Sequence, residues 1–316
     1  MQFFNKPNID FMGSRKAFAY FSITITVVGI LLAGVLGIEL GIDFKGGAEI
    51  AIEFEKQIET KQIRSAVDAT GMTGSEVKSY GGDNQFLIRV TDIENGAQKI
   101  QDSFTKNIAD NKFTVLKIDK IGPKIGGELF TDALWAVLLA VAFILVYIAF
   151  RFEFIFGLGA IVALVHDVLV TFSLVAIINH LNIIDLELNQ TILAAMLTVI
   201  GYSINDTVII FDRIRENRER HKGMNLIKLI NMSINETLSR TVNTVATTVT
   251  VLLVLLFFGG PVLQGFAFTM MLGLLFGTYS SIYIASSFVV WYTEKVKKVD
   301  LTADQAKKTG IAGARL

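Results

Sequence analysis

Six long apolar runs limit what this chain can become: about Ala17 to Leu36, Ala133 to Phe150, Phe154 to Ile178, Thr191 to Phe211, Thr241 to Phe258 and Phe266 to Trp291. At 1.5 Å of rise per residue, each is about long enough, as a helix, to cross the roughly 30 Å hydrocarbon core of a bilayer. With 52% apolar residues overall, the chain is a polytopic membrane protein and not a soluble globule. Its formal net charge of zero lacks the basic surplus of a nucleic-acid binder, so no nucleic acid is expected among its partners. There is no cysteine, and hence neither a disulfide framework nor a thiolate metal site. Pro7, Pro123 and Pro261 all fall outside the apolar runs, which predicts spans without proline kinks.

Arg15 and Lys16 precede the first run, whose length and weak cleavage signature fit an uncleaved helix better than a secretory leader. Gly29, Ala33 and Gly37 recur every fourth residue, a spacing that lets a second helix approach. From 38 to 128 the character changes, and soluble periodicities predict an α+β domain. Ile50, Ile52 and Phe54 alternate as in a strand, Ile63 and Val67 share a helical face closed by Gly71, and Val77 to Tyr80 with Phe86, Ile88 and Val90 reads as a hairpin turning at Gly81 and Gly82. Ile93, Ala97, Ile100, Phe104 and Ile108 form a helical stripe, and Phe113 to Ile121 is strand-like again. That β-α-β-β-α-β order is ferredoxin-like. The domain carries 12 Lys and Arg against 15 Asp and Glu, a mild acid excess that suits solubility.

The loops at Arg151 to Glu153 and Phe258 to Pro261 are so short that the helices they join must run antiparallel. Basic residues gather at the amino end (Lys6, Arg15, Lys16), between the fourth and fifth runs (Arg213, Arg215, Arg218, Arg220, Lys222, Lys228) and in the tail (Lys295, Lys297, Lys298). By the positive-inside rule these face the cytoplasm. The expected organisation is a cytoplasmic amino end (1–16), a first transmembrane helix (17–37), an extracytoplasmic domain (38–128), helices 2–6 (129–292) with a cytoplasmic loop at 213–238, and a cytoplasmic tail (293–316).

Ionisable residues within the runs are few: His166, Asp167, Asp206 and, where the fifth run begins, Arg240. An intramembrane acid costs roughly 2.5 to 3.5 kcal/mol to insert, so it faces protein or a water path and has work to do there. Asp206 lies six residues before Asp212, about 9 Å inside a rim placed at Asp212, and Arg240 enters from the same side. An Arg opposite the acid favours its charged form while hydrocarbon favours protonation, a balance suited to loading and unloading a proton. Asp167 is expected roughly 20 Å from the cytoplasmic end of its helix, a second station on a path and not a partner of Asp206. Thr241, Asn243, Thr244, Thr247 and Thr248 give the fifth run a broad hydroxyl- and amide-lined face, as in a hydrated crevice. Plainer readings remain for each: Asp206 as a structural acid bonded to hydroxyls, His166 and Asp167 as packing groups, Arg240 as an anchor. Gly273 and Gly277, and Gly157, Gly159 and Ala163, read as close helix packing. No phosphate loop, metal-ligand pair or Ser/His/Asp spacing is present, so no metal, cofactor or enzymatic activity is expected. An intramembrane aspartic protease needs two acids at one depth, against which the estimated depths and the missing glycine-aspartate pair both count.

Four motifs then carry a resemblance: GIDFKGG at Gly41 to Gly47, VHD at Val165 to Asp167, GYSINDTVIIFDRIRE at Gly201 to Glu216, and SRTVNT at Ser239 to Thr244. Over nearly the whole chain the sequence resembles the SecD/SecF family of bacterial protein-export subunits, and within it the smaller subunit of the pair. Lys45 stands where the family usually has Ser or Thr. The resemblance implies a membrane fold of the resistance-nodulation-division type, six helices with one extracytoplasmic domain, completed by a homologous SecD in the bacterial inner membrane. It implies use of the proton-motive force, with sodium ions as the other candidate, to promote preprotein translocation at the Sec channel (SecYEG) and release of the unfolded preprotein outside. Asp206 and Arg240 resemble the family's functional acid and base. His166, Asp167, Asn243 and Thr247 are candidates for a proton path, and Gly41, Asp43, Gly46 and Gly47 for a loop motif of the external domain. Half of a proton-driven lipid or small-molecule exporter, and a non-conducting scaffold of the channel, are the competing expectations.

Overall fold

A computed structural model describes residues 7–298, except 73–74, 81–83 and 182 and the side chains of 261 and 262. Helix α1 (Arg15–Leu36) leads into a short turn, α2 (Ile42–Lys45), and then β1 (Gly47–Phe54), α3 (Thr60–Asp68), β2 (Glu76–Ser79), β3 (Gln85–Val90), α4 (Gly96–Asn107) and β4 (Phe113–Ile121). The four strands form an antiparallel sheet in the order β2-β3-β1-β4, the ferredoxin-like arrangement expected from element order. The predicted hairpin is present, while its turn glycines Gly81 and Gly82 lie outside the described residues.

Strand alternation divides the sheet into two unlike faces. Ile50, Ile52, Phe54, Phe86 and Ile88 point at α3 and α4 and build a closed core with Ile63, Val67, Ile100 and Phe104. The other face carries charge: Glu49 pairs in register with Arg89, which also stands opposite Glu76. That charged face is turned towards the membrane helices.

The bundle follows: α5 (Pro123–Arg151), α6 (Phe154–His180), α7 (Gln190–Arg220), α8 (Leu226–Phe258), α9 (Gly260–Ser280), a π-helical turn (Ser281–Ala285) and α10 (Ser286–Lys295). With α1 these make six spans long and apolar enough to cross a membrane, the last of them running through α9, the π turn and α10. Helices α6, α7 and α9 pack at the centre, whereas α1, α5 and α8 leave broad apolar faces open. Gly273 and Gly277 act as expected: a Cβ at Gly273 would stand 2.8 Å from Val199 Cβ, and one at Gly277 would stand 3.1 Å from Ser203 Cβ. Gly29 likewise admits Ser173, with 2.9 Å to its Cβ.

Two expectations change, and one feature was not expected. Gly37 packs against nothing; with φ +83 it ends α1 as its C-cap, donating its N–H to the Ala33 carbonyl at 3.0 Å. Residues 213–238 are not a loop, because α7 continues to Arg220 and α8 starts at Leu226, capped by Asn225, whose side chain accepts from Ile227 N at 2.8 Å. The charges there decorate helices whose Ile214, Leu229, Ile230, Ile234 and Leu238 are buried. The sixth span lacks an internal proline yet is irregular at Ser281–Ala285, a π turn of the kind often found at functional sites.

Candidate functional site

The central helices carry the polar line that the apolar surroundings make conspicuous. Asp167 is fully buried. One of its carboxylate oxygens accepts from Ser203 Oγ at 2.5 Å and from Ser280 Oγ at 2.7 Å, and the other lies 2.9 Å from His166 Nδ1. His166 Nε2 is in turn in hydrogen-bond contact with Ser22 Oγ on α1. Asp206, 5% exposed, accepts from Thr278 Oγ1 at 3.3 Å. Four helices thus supply one cluster. Helix α7 brings Ser203 and Asp206, one turn apart, and α9 brings Ser280 and Thr278 to meet them.

The two acids are therefore about one helical turn apart in depth, since Ser203 precedes Asp206 by three residues, or roughly 4.5 Å. This overturns the expected separation. The sequence places the rim at Asp212, but Arg218, further along α7, is ion-paired with Glu153 at the start of α6. The two helices are thus staggered by more than a turn relative to that assumption. Depth no longer argues against a shared-proton dyad; what distinguishes the acids is that each is held by its own donors. Ser22, Ser203, Thr278 and Ser280 were missed because single hydroxyls are unremarkable in membrane helices. The available signal was Ser203 inside the Gly201 to Glu216 motif and Thr278 beside Gly277.

Arg240 is placed near enough for its charge to act on Asp206, yet among the described residues it forms no ion pair with it. Its side chain, like those of Thr244 and Thr247, is on a face of α8 that this chain leaves open or half-open. The Thr244 and Thr247 hydroxyls donate to carbonyls of their own helix, at 3.0 Å to Arg240 and 2.9 Å to Asn243. Thr247 is exposed and Asn243 is half-buried on this face.

The Gly41 to Gly47 motif sits where domain and bundle join. Asp43 Oδ2 accepts from Gln190 N, the first residue of α7, at 3.0 Å. Gly41 N donates to the Leu188 carbonyl at 3.0 Å and Leu188 N to the Glu39 carbonyl at 2.9 Å. Gly46 has φ +75, and a Cβ there would stand 2.9 Å from Pro123 Cα, so only glycine lets α2 meet the start of α5. Gly47, at φ +135, would meet the Val90 carbonyl at 3.1 Å. Lys45 is exposed at the end of α2.

Beside this joint lies a buried ion-pair cluster that sequence reasoning did not find, because its members are far apart in the chain. Glu187, 3% exposed in the link between α6 and α7, accepts from Arg89 at 2.5 and 3.0 Å and from Lys78 at 2.5 Å. Lys78 also reaches Glu39 at 2.6 Å, and Arg89 reaches Glu49 at 2.8 Å. Burial disfavours the Lys78 ammonium, but its bonds to Glu187 and Glu39 prevail and hold it above its usual value. Asp185 is pushed up to about 6, first by burial and then by the Glu187 charge.

Comparison with known proteins shows the family. Residues 100–295 match the family model described as protein export membrane protein SecD/SecF, C-terminal, and residues 32–58 match the SecD/SecF GG motif, which contains the joint. The protein translocase subunit SecF of Rhodothermus marinus is 39% identical, with all of both chains covered. That of Calditerrivibrio nitroreducens is 39% identical over 90% of this chain and 94% of its own. The crystal structure of SecDF, a translocon-associated membrane protein from Thermus thermophilus, superimposes with a TM-score of 0.82 at 34% identity. It covers 92% of this chain, which spans only 39% of that longer one. From its motifs, fold and relatives, the chain belongs to the SecD/SecF family of protein-export membrane proteins.

Proposed function

We propose that this chain is an accessory subunit of the Sec protein translocase, acting with a SecD-type partner to couple proton movement to preprotein translocation and release outside the membrane. Its termini are then cytoplasmic and its α+β domain external. The observation that carries the reading is the buried line Ser22, His166, Asp167, Ser203 and Ser280, with Asp206 and Thr278 one turn away. Hydroxyls both donate and accept, so such a line can pass protons between carboxylates. Asp206 serves as the loading acid, Asp167 and His166 as the next carriers, and Arg240 as the cation that biases Asp206. The open face of α8 bearing Arg240, Asn243 and Thr247 is where the partner would complete the path.

Transmission runs through α7. Asp206 is sixteen residues from Gln190, about 24 Å along one rigid helix, and Gln190 is held by Asp43 of the joint. One charge falling through about 100 mV releases roughly 2.3 kcal/mol, enough to bias a two-state element by some fifty-fold. The test is Asp206→Asn, which keeps the shape and removes the titration. Pulse-chase of a secreted precursor, with the variant as the sole copy, is expected to slow to the level of a deletion while the protein accumulates and retains its partner. Unchanged export would leave Asp206 a structural acid and favour a scaffold. Repeating the assay with the proton or the sodium gradient collapsed identifies the ion.

A further inference from the structure

We propose that the groove between α1, α6 and α10 is a binding site for an anionic diacyl phospholipid. The groove, about 650 Å³ in volume, runs along the bundle, with Ile23 and Thr26 of α1 facing Val165 and Leu169 of α6, and Phe288 of α10 closing its third side. At one end stand Arg15, Lys16 and Lys295, with Glu294 as the one acid among them.

Three observations specify the occupant. Charge comes first: the lining at the mouth has three cations and one carboxylate, Glu294, 3.7 Å from Lys295, and even with Asp10, which lies beyond the lining and feels the Arg15 charge, the cations are in excess. Arg15 commits Nη1 to the Met12 carbonyl at 2.8 Å, leaving its other N–H groups to a phosphate. Basic pockets between transmembrane helices are suited to anionic head groups. Length comes second: Arg15 and Thr26 are eleven residues apart on one helix, about 16 Å, close to half of the roughly 30 Å hydrocarbon core. The groove is therefore one leaflet deep, with its charge at head-group level. Third, Trp291 stands half-exposed at the mouth, where an indole marks the membrane interface. Ile23 and Val165, 60% and 51% exposed, leave the walls open to lipid.

The lower part of the groove touches Ser22 and His166, the α1 end of the polar line. An acyl chain there keeps water away from His166.

Two tryptophans make the site measurable. With Trp135→Phe, Trp291 is the only tryptophan in the full chain reconstituted into phosphatidylcholine vesicles, and excitation at the red edge of the indole band selects it over the tyrosines. Brominated phosphatidylglycerol is expected to quench it at a mole fraction at least five-fold lower than brominated phosphatidylcholine does, as about 1 kcal/mol per basic residue implies. Trp291→Phe, which keeps the exposed Trp135 of α5, supplies the bulk-lipid reference and is expected to show no preference. Combining Arg15→Gln, Lys16→Gln and Lys295→Gln should abolish the preference at Trp291, and Val165→Phe, which fills the groove and keeps the charges, should weaken quenching by both lipids. Melting temperatures equal to the parent's establish that the variants are folded. A preference that is absent, that is the same at Trp135, or that survives the triple substitution overturns the assignment, as does a Trp291 that neither lipid quenches.

Discussion

Glu187→Gln removes the carboxylate that ties the α+β domain to the link between α6 and α7. The side chain is 3% exposed and accepts from both Arg89 and Lys78, so its loss leaves two cations without their most buried partner. Breaking a buried pair from one side costs about 3 to 5 kcal/mol. The lower end applies here, because Arg89 keeps Glu49 at 2.8 Å and Lys78 keeps Glu39 at 2.6 Å. About 3 kcal/mol is a factor of roughly a hundred in the docked population of the domain. The chain has no cysteine, so Thr105→Cys on α4 and Leu181→Cys beyond α6 can carry a clean pair of spin labels. The parent is expected to give one narrow distance distribution and Glu187→Gln a broad one. Replacing Arg89 and Glu187 together by Met should cost less than the sum of the two single changes, because the Arg89–Glu187 contact is lost only once, while Glu49 and Lys78 still each lose a partner. A narrow, unshifted distribution in Glu187→Gln would refute the claim that this cluster sets the domain's orientation.

Asp185, held at about 6 against the usual 3.8, weakens the folded junction progressively as pH rises from about 4 to 6, and that loss of at most about 3 kcal/mol persists above 6. Asp185→Asn is expected to raise the melting temperature at pH 7.5 and flatten its dependence between pH 4 and 6; equal stability of parent and variant at pH 7.5 counts against it. Gly273→Ala places a methyl against Val199 and should lower stability by about 1 to 3 kcal/mol through separation of α7 and α9, read as a drop in melting temperature in detergent. Gly46→Ala imposes a positive φ on an L-residue and drives its Cβ into Pro123. It should cost about 1 to 3 kcal/mol and broaden the same spin-label distances, whereas Gly127→Ala, with open space around it, should not.

Much of the architecture was legible because it rests on local periodicity. Apolar runs of bilayer length marked six spans, and alternation between Ile50 and Phe54 or the stripe from Ala97 to Phe104 marked the strands and helices of the α+β domain. Element order then led to the sheet order, since a β-α-β-β-α-β chain with short connections has few ways to close. Glycine spacing at Gly273 and Gly277 pointed correctly to close packing, and the same spacing misled at Gly37, where backbone conformation and not contact is the reason for glycine.

Composition, span number and the presence of acids in apolar helices are properties of single segments, and the sequence by itself determined them. Which groups meet was decided only in three dimensions, because it depends on helix stagger and on pairs far apart in the chain. The stagger set by Glu153 and Arg218 brings Asp167 beside Ser203 and so within a turn of Asp206. Glu187 is an ordinary acid in sequence and becomes the anchor of the domain only because the sheet's charged face closes over it. Asn231 and Asn235, unremarkable on α8, receive the segment before α1 through Met12 N at 2.9 Å and Ile9 N at 2.9 Å. In each case a polar group taken out of water must find a partner from whichever element the fold places opposite.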